Sequence, residues 1–294
     1  PQYAQWILER ANPRDPGNMI RLLVMLPKGV TWRDLHSAIH HLVKAHPALR
    51  TRVGLESNNL TGKLLQIVRP TPAQIPLESR SVQDFKQDSL LPIIDGLMEG
   101  PPSLEGGRVF RSVGLSHQGR LSAVLFLFQH AAVDDPSLRI LEADLLGALQ
   151  GSDPVPEVQT QLGWASDVSL AGVDRESLKW WSENLKDIPE GIKINNAGGA
   201  SKSRRLRFRL DRSEKDRLES RAKEIGVSRA AAAVHTLGQA ILASDLAYGS
   251  KFSIGVPASL RDSDDLERTV GMILTTLPVV IEPDRGVLHS GNAL

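Results

Sequence analysis

The chain has 294 residues, enough to bury one large core or two medium ones, and its 41% hydrophobic and 23% charged content is that of an ordinary globular protein. Lysine and arginine total 35 against 34 acidic residues, a formal net charge of +1, so no global field attracts nucleic acid or an anionic membrane. There is no cysteine, which excludes disulfides, thiolate metal sites and cysteine nucleophiles within these residues. No apolar run reaches bilayer length, and the opening PQYAQWILER lacks the basic start and apolar middle of a secretory signal; the expected setting is cytoplasmic.

Residues 18–26, NMIRLLVML, predict a strand. TWRDLHSAIHHLVKAHPALR then predicts a helix, because Leu35, Ala38, Ile39, Leu42 and Val43 recur at steps of three and four. Thr31 suits its N-cap and Pro47 its stop. Residues 108–115 and 120–129 predict two strands joined by the turn-rich SHQGR. In RLSAVLFLFQ both faces are apolar, the pattern of a central strand covered on each side. His130 shares parity with Val124, Phe126 and Phe128 and so emerges on their face. Pro136 fits the first turn of a helix through SLRILEADLLGAL, capped by Asp134 or Asp135.

The prolines, glycines and small polar residues of 151–173 predict a crossover between lobes. A helix at 174–186 and a loose NNAGGASKS loop lead into SKSRRLRFRL, residues 201–210. There Leu206, Phe208 and Leu210 alternate with Arg205, Arg207 and Arg209, which reads as a charged edge strand or, alternatively, as a docking patch for an acidic partner. Helices follow near 212–225 and 228–244; Ser228 suits the cap of the second, whose alanine run predicts burial. A strand in KFSIGVP, a polar turn with a short helix around RDSDDLERTVG, and a strand in TTLPVVIE complete the pattern. Helix and strand mixed in both halves predict an α+β fold, with lobes at 1–170 and 171–294.

His36 and His40 have metal-ligand spacing, but no third or fourth ligand accompanies them, so the expectation is no metal. The glycines of GSKFSIGVP and NNAGGA lack the spacing and the lysine of a phosphate cradle, and there is no G-x-S-x-G elbow. His130 and Asp134 remain, as H-x-x-x-D. The bare pattern is weak in a chain with 8 histidines. Its placement, at the end of a buried strand and before a helix-capping turn, sets the histidine on rigid elements. The residues alone leave His130 open between a catalytic base and a satisfied structural histidine.

PQYAQWILER, HHLVKAHPALRTRV, FQHAAVDDPS, GWASDVS, SLKWWSENL and IGVPASLRDSDDLERTVGMILTTLPVVIE occur in this order along almost the whole chain. Together they resemble the condensation domains of nonribosomal peptide synthetases, within the chloramphenicol-acetyltransferase-like superfamily. They are similar, in turn, to the opening motif, RHExLRTxF, HHxxxDG, the tyrosine/tryptophan crossover and its following helix, and the PVSGR loop running into a VGxFxNTLP strand. Gln129 stands where the family has its first histidine and Asp135 where it has glycine. Recruitment domains of glycopeptide synthetases carry HRxxxDD, without the second histidine, and fungal terminal cyclising domains carry SHxxxD.

The resemblance implies two chloramphenicol-acetyltransferase-like lobes forming a V around an inter-lobe tunnel. The second lobe is expected to be incomplete, because family members continue beyond the last strand. It implies an acyltransferase that joins a donor acyl or peptidyl thioester to an acceptor aminoacyl substrate, as an amide or in some branches an ester. Both substrates would ride on phosphopantetheine arms of peptidyl carrier proteins, among neighbouring synthetase domains, with no intrinsic cofactor and no nucleic-acid or membrane partner. His130 falls on the catalytic histidine. Asp134 falls on a structural aspartate expected to pair with Arg261, the arginine of PVSGR. Asp135 is expected to reshape the turn or cap the helix, with Gln129 as further support; Ser259 and Thr275 are candidates for lining the tunnel. A non-catalytic platform that recruits a tailoring enzyme or carrier protein, and a stand-alone acyl-CoA-dependent acyltransferase, are the alternative functions.

Overall fold

The computed structural model describes residues 2–55, 64–153, 155–156, 174–188, 209–224, 226–244, 246 and 249–283. The chain divides into two compact units, Pro1–Ala171 with Ser259–Leu274, and Gly172–Ala258 with Thr275–Leu294. The segment 259–274, which the sequence reading assigns to the second lobe, therefore clusters with the first. Its anchors explain this: Arg261 and Gly271 hydrogen-bond to Asp134 and Ser137, and Val270 and Met272 join the first unit's apolar core.

The first unit is built on a four-stranded sheet, in order β1 (Met19–Met25), β6 (Arg120–Gln129), β5 (Phe110–His117) and β4 (Leu77–Val82). β1 and β5 run antiparallel to β6, with Met19 opposite Gln129 and Phe110 opposite Phe128; β4 is parallel to β5. β6 is buried on both faces, as its continuous apolar run predicts. Val124, Phe126 and Phe128 pack with Leu35 and Ile39 of α2 (Trp32–Ala45) and Leu141 and Leu145 of α4 (Asp135–Leu149). Ala123, Leu125 and Leu127 pack with Leu90 and Leu97 of α3 (Gln87–Met98). Each such fully buried large side chain stabilises the layer arrangement by about 1.5–3 kcal/mol.

Local chemistry sets the ends of these elements. Thr31 and Asp34 form a capping box at the start of α2, the Asp34 N–H donating to Thr31 Oγ1 at 3.2 Å and the Thr31 N–H to Asp34 Oδ2 at 2.9 Å. The β5–β6 link needs only Gln118 and Gly119, both at positive φ (50° and 76°), which matches the twist of a tight hairpin. Four features have no counterpart in the sequence reading: α1 (Gln2–Ala11), the separate β2–β3 ribbon (Thr51–Leu55 with Leu64–Val68), β4 and α3. α3 carries Pro92 and Gly96, which read as breakers, yet burial of Leu90 and Leu97 outweighs their propensity cost. β4, LESRSV, is an edge strand with three successive exposed residues, and its hydrophobic signal is correspondingly faint.

In the second unit, α5 (Arg175–Asn184) is capped by Asp174 and α7 (Arg229–Leu242) by Ser228, with α6 (Arg212–Glu224) between them. Strands β7 (Phe252–Ser259) and β8 (Leu274–Ile281) pair, and Phe252, Val279 and Ile281 pack with Val234, Ile241 and Leu242. Burial of α7 is confined to one face, at Ala231, Ala232 and Gly238, while Leu237 is exposed. That corrects the expectation of a buried helix: alanine is tolerated on either face, so an alanine run alone does not specify burial. Gly238 lets α7 approach β8, since a Cβ there would stand 2.7 Å from Ile281 Cγ1. The short helix α8 (Asp264–Glu267) lies on the segment that returns to the first unit. The predicted basic strand falls on residues 201–208, outside the described residues, and on Arg209 and Leu210, which have no regular structure; the crossover at 157–173, including GWASDVS, and the NNAGGASKS loop are also outside them. Among the described residues, no helix is long and apolar enough to cross a membrane.

Candidate active site

β6 delivers His130 directly from the centre of the sheet. The strand's last N–H, of Gln129, donates to Val109 O at 2.8 Å; a single helical turn over His130–Ala132 follows, and Asp134 then caps α4. The turn is held in place by Ala131 and Val133, both buried. His130 is half-buried, and its Nδ1 lies 3.0 Å from Val133 O. A carbonyl oxygen can only accept, so Nδ1 carries the hydrogen and, in the neutral ring, Nε2 carries the lone pair. Among the described residues nothing hydrogen-bonds to Nε2. The chain's own backbone thus sets the tautomer of this imidazole.

Asp134 is the opposite case, a carboxylate with no capacity left. Its Oδ1 accepts from Ser137 N (3.1 Å), Ser137 Oγ (2.6 Å) and Arg261 Nη2 (2.9 Å), and its Oδ2 from Arg261 Nη1 (2.6 Å) and Ile273 N (3.0 Å). The carboxylate is fully buried and the Arg261 side chain 6% exposed. Arg261 also donates to Thr269 O and Gly271 O, and Gly271 N donates to Ser137 Oγ. This bidentate pair is charge-assisted and planar, the strongest kind of side-chain hydrogen bond. It ties the turn after His130 to the segment 259–274, and Asp134 is unavailable for proton transfer. Ser137 is absent from the sequence reading; its signal was its place three residues after a cap, where the backbone N–H seeks an acceptor.

A second clamp holds the same segment. His46 Nε2 lies 2.9 Å from Asp144 Oδ2, and Arg268 Nη2 donates to Asp144 Oδ1 at 3.0 Å. Burial pushes the Asp144 carboxyl up, but the hydrogen bond and charge of His46, with the Arg268 guanidinium, outweigh it and hold the group below the usual carboxylate range. Among the described residues no cluster of three His, Asp or Glu side chains could hold a metal.

The family model of the condensation domain matches residues 1–289. The chain belongs to the condensation domain family. The hybrid PKS-NRPS synthetase LUC5 of Fusarium sp is similar at 25% identity over 253 residues, covering 84% of this chain but 6% of that synthetase. Among solved structures, the first condensation domain of the calcium-dependent antibiotic synthetase, in complex with a substrate analogue, matches with a TM-score of 0.77 at 15% identity, over 99% of this chain and 72% of that one. The X-domain solved in complex with OxyB from teicoplanin biosynthesis matches with a TM-score of 0.76 at 18% identity, over 99% and 67%. At these identities the likeness is one of fold, and it is the α+β fold of condensation domains.

The two departures of this condensation domain from HHxxxDG have distinct structural outcomes. Gln129 is fully buried and fills the histidine's place with an amide bonded on both ends. Asp135 is exposed in the first turn of α4. Asp134, not Asp135, supplies the cap, and Asp135 is not among the residues at positive φ, so this backbone does not require glycine's freedom. Its charge at the helix N-terminus is favourable with respect to the helix dipole. Ser259 ends β7, exposed, its Oγ accepting the Arg261 N–H at 3.3 Å; Thr275 lies half-buried on β8.

Proposed function

We propose that this condensation domain joins a donor acyl or peptidyl thioester to the amine of an acceptor aminoacyl thioester, with His130 as the catalytic residue. The substrates arrive on the phosphopantetheine arms of donor and acceptor carrier proteins, and Ser259 and Thr275 border their path. An α-amine with a pKa near ~8 is partly neutral at pH 7, and the thioester is already activated, so the demands on the protein are positional and modest. The amine nitrogen attacks the thioester carbonyl carbon, and the carbonyl π pair moves to oxygen. His130 Nε2 accepts the proton from the attacking nitrogen. Collapse of the tetrahedral intermediate breaks the C–S bond, and the proton passes to the departing sulfur, leaving a free thiol on the donor arm. An ester forms by the same sequence when the acceptor presents a hydroxyl.

The observation that carries this reading is the hydrogen bond from His130 Nδ1 to Val133 O, which leaves Nε2 as the ring's acceptor. Asp134 and Arg261 act as its scaffold. A second reading, recruitment of a tailoring enzyme, is favoured by the fold shared with an X-domain that was solved together with OxyB. The discriminating experiment mixes the protein with a loaded donor carrier and a loaded acceptor carrier and follows the condensed product by mass. Product that depends on His130 supports catalysis; no product, with tight binding of a tailoring enzyme, supports recruitment.

A further inference from the structure

Gln129 has two partners of opposite demand. Its Oε1 accepts the Ala131 N–H at 3.3 Å, and its Nε2 donates to Glu9 Oε2 at 3.0 Å. Glu9, on α1, accepts the Leu104 N–H at 3.1 and 3.3 Å through its two oxygens, and also a hydrogen bond from Ser103. Gln129 is fully buried and Glu9 is 6% exposed. An N–H on one side and a carboxylate on the other can be served together in one orientation of the amide only. The carboxylate therefore dictates which end of Gln129 faces Ala131, in the middle of the turn that carries His130. Burial pushes the Glu9 carboxyl above the usual carboxylate range, against the hydrogen bonds from Ser103, Leu104 and Gln129 that lower it, so placing a carboxyl here costs stability. A group kept at such a cost calls for a role beyond packing.

We propose that Glu9 is a positioning residue for His130, acting through the Gln129 amide; as a statement about catalysis this rests on His130 being the base of the condensation reaction. The chain of donors runs from the Ala131 N–H to Gln129 Oε1, and from Gln129 Nε2 to Glu9. It orients the turn so that Nδ1 of His130 meets Val133 O and Nε2 stays unprotonated.

Three variants test the polarity of this chain: Glu9→Gln, Gln129→Glu, and the two together. Glu9→Gln leaves one acceptor oxygen where two faced the Leu104 N–H and the Gln129 NH2, so its own NH2 is set against one of these donors, and flipping Gln129 in response turns its NH2 on the Ala131 N–H. Gln129→Glu sets two carboxylates side by side in the core. In the double variant the new amide at 9 donates to the new carboxylate at 129, which still accepts from Ala131, so the chain is restored with its charge moved. Two readouts are taken: nitrogen NMR of the His130 ring, assigned with His130→Ala, and the split of kcat from KM with loaded carriers. Each single variant is expected to shift the ring signals toward the Nε2–H tautomer and to lower kcat by about tenfold to a hundredfold with KM nearly unchanged. The double variant returns both toward wild type. Folded single variants with wild-type ring signals overturn the proposal, as does a double variant whose ring signals stay displaced. If the single variants do not fold, the double variant alone decides by the same criterion. Ring signals that move and return, in a protein that makes no product, uphold the positioning of His130 and reject the condensation reading instead.

Discussion

Arg261→Ala is expected to be the most damaging substitution outside the apolar core. It leaves the Asp134 carboxylate fully buried with only Ser137 and the Ile273 N–H for partners, and it removes one donor each from the carbonyls of Thr269 and Gly271. Breaking a buried pair by removing one partner costs about 3–5 kcal/mol, because the remaining charge is uncompensated. Against a total stability of about 5–15 kcal/mol this is about a fifth or more of what holds a domain of this kind together. The assay is urea unfolding of wild type, Arg261→Ala, Asp134→Leu and the double variant Asp134→Leu/Arg261→Met, with amide hydrogen exchange at Ser137 and Ile273. The Ser137 and Ile273 amides should lose protection first, since both donate to Asp134. The double variant should cost less than the single variants summed, because it leaves no orphaned charge. Arg261→Ala within about 1 kcal/mol of wild type would refute the reasoning, because the pair would then behave like an exposed one.

Asp144 gives a pH-dependent counterpart. Its folded pKa lies below the unfolded value near 3.8, so its contribution is fully present above that value and disappears as pH falls through the folded pKa. Asp144→Asn should therefore cost about 1–3 kcal/mol at pH 7, with the deficit shrinking as pH falls below the unfolded value near 3.8, as read from urea midpoints at each pH. Gly238→Ala should destabilise the second unit by about 1–3 kcal/mol in thermal melts, since the new methyl would meet Ile281 at 2.7 Å, and combined with Ile281→Ala, which removes all three carbons it would meet, it should cost less than the two changes summed. Asp135→Gly, which restores the family's residue, should leave product formation within about threefold of wild type, because glycine's extra backbone freedom goes unused at this position and an exposed first-turn charge is worth only tenths of a kcal/mol.

Much of the first unit was legible because its strongest signals are local. The apolar run of β6, the capping residues Thr31 and Asp134, and Pro136 at the start of α4 all act within a turn or a strand, and all lie where the pattern puts them, as does the Ser228 cap in the second unit. The pairing of Asp134 with Arg261, 127 residues apart, came from motif resemblance, since no periodicity links them. What stayed hidden depends on tertiary context. α3 folds through a proline and a glycine because the sheet buries Leu90 and Leu97, and β4 exists because β5 offers it a parallel edge. The placement of 259–274 with the first unit was invisible because its anchors, Arg261, Arg268 and Gly271, find their partners across more than a hundred residues of chain. Glu9 was missed for the same reason: a glutamate in the last turn of α1 reads as surface until its partner Gln129, 120 residues on, is seen beside it.

The proposed condensation chemistry depends most directly on Nε2 of His130. The decisive measurement is the single-turnover rate of condensation between saturating loaded carriers, compared between wild type and His130→Ala, with circular dichroism confirming that both are folded. A positioned proton acceptor contributes about 10²–10⁴-fold, and a loss in that range is expected with carrier binding unchanged. A His130→Ala rate within about threefold of wild type, far below what a general base supplies, would contradict it.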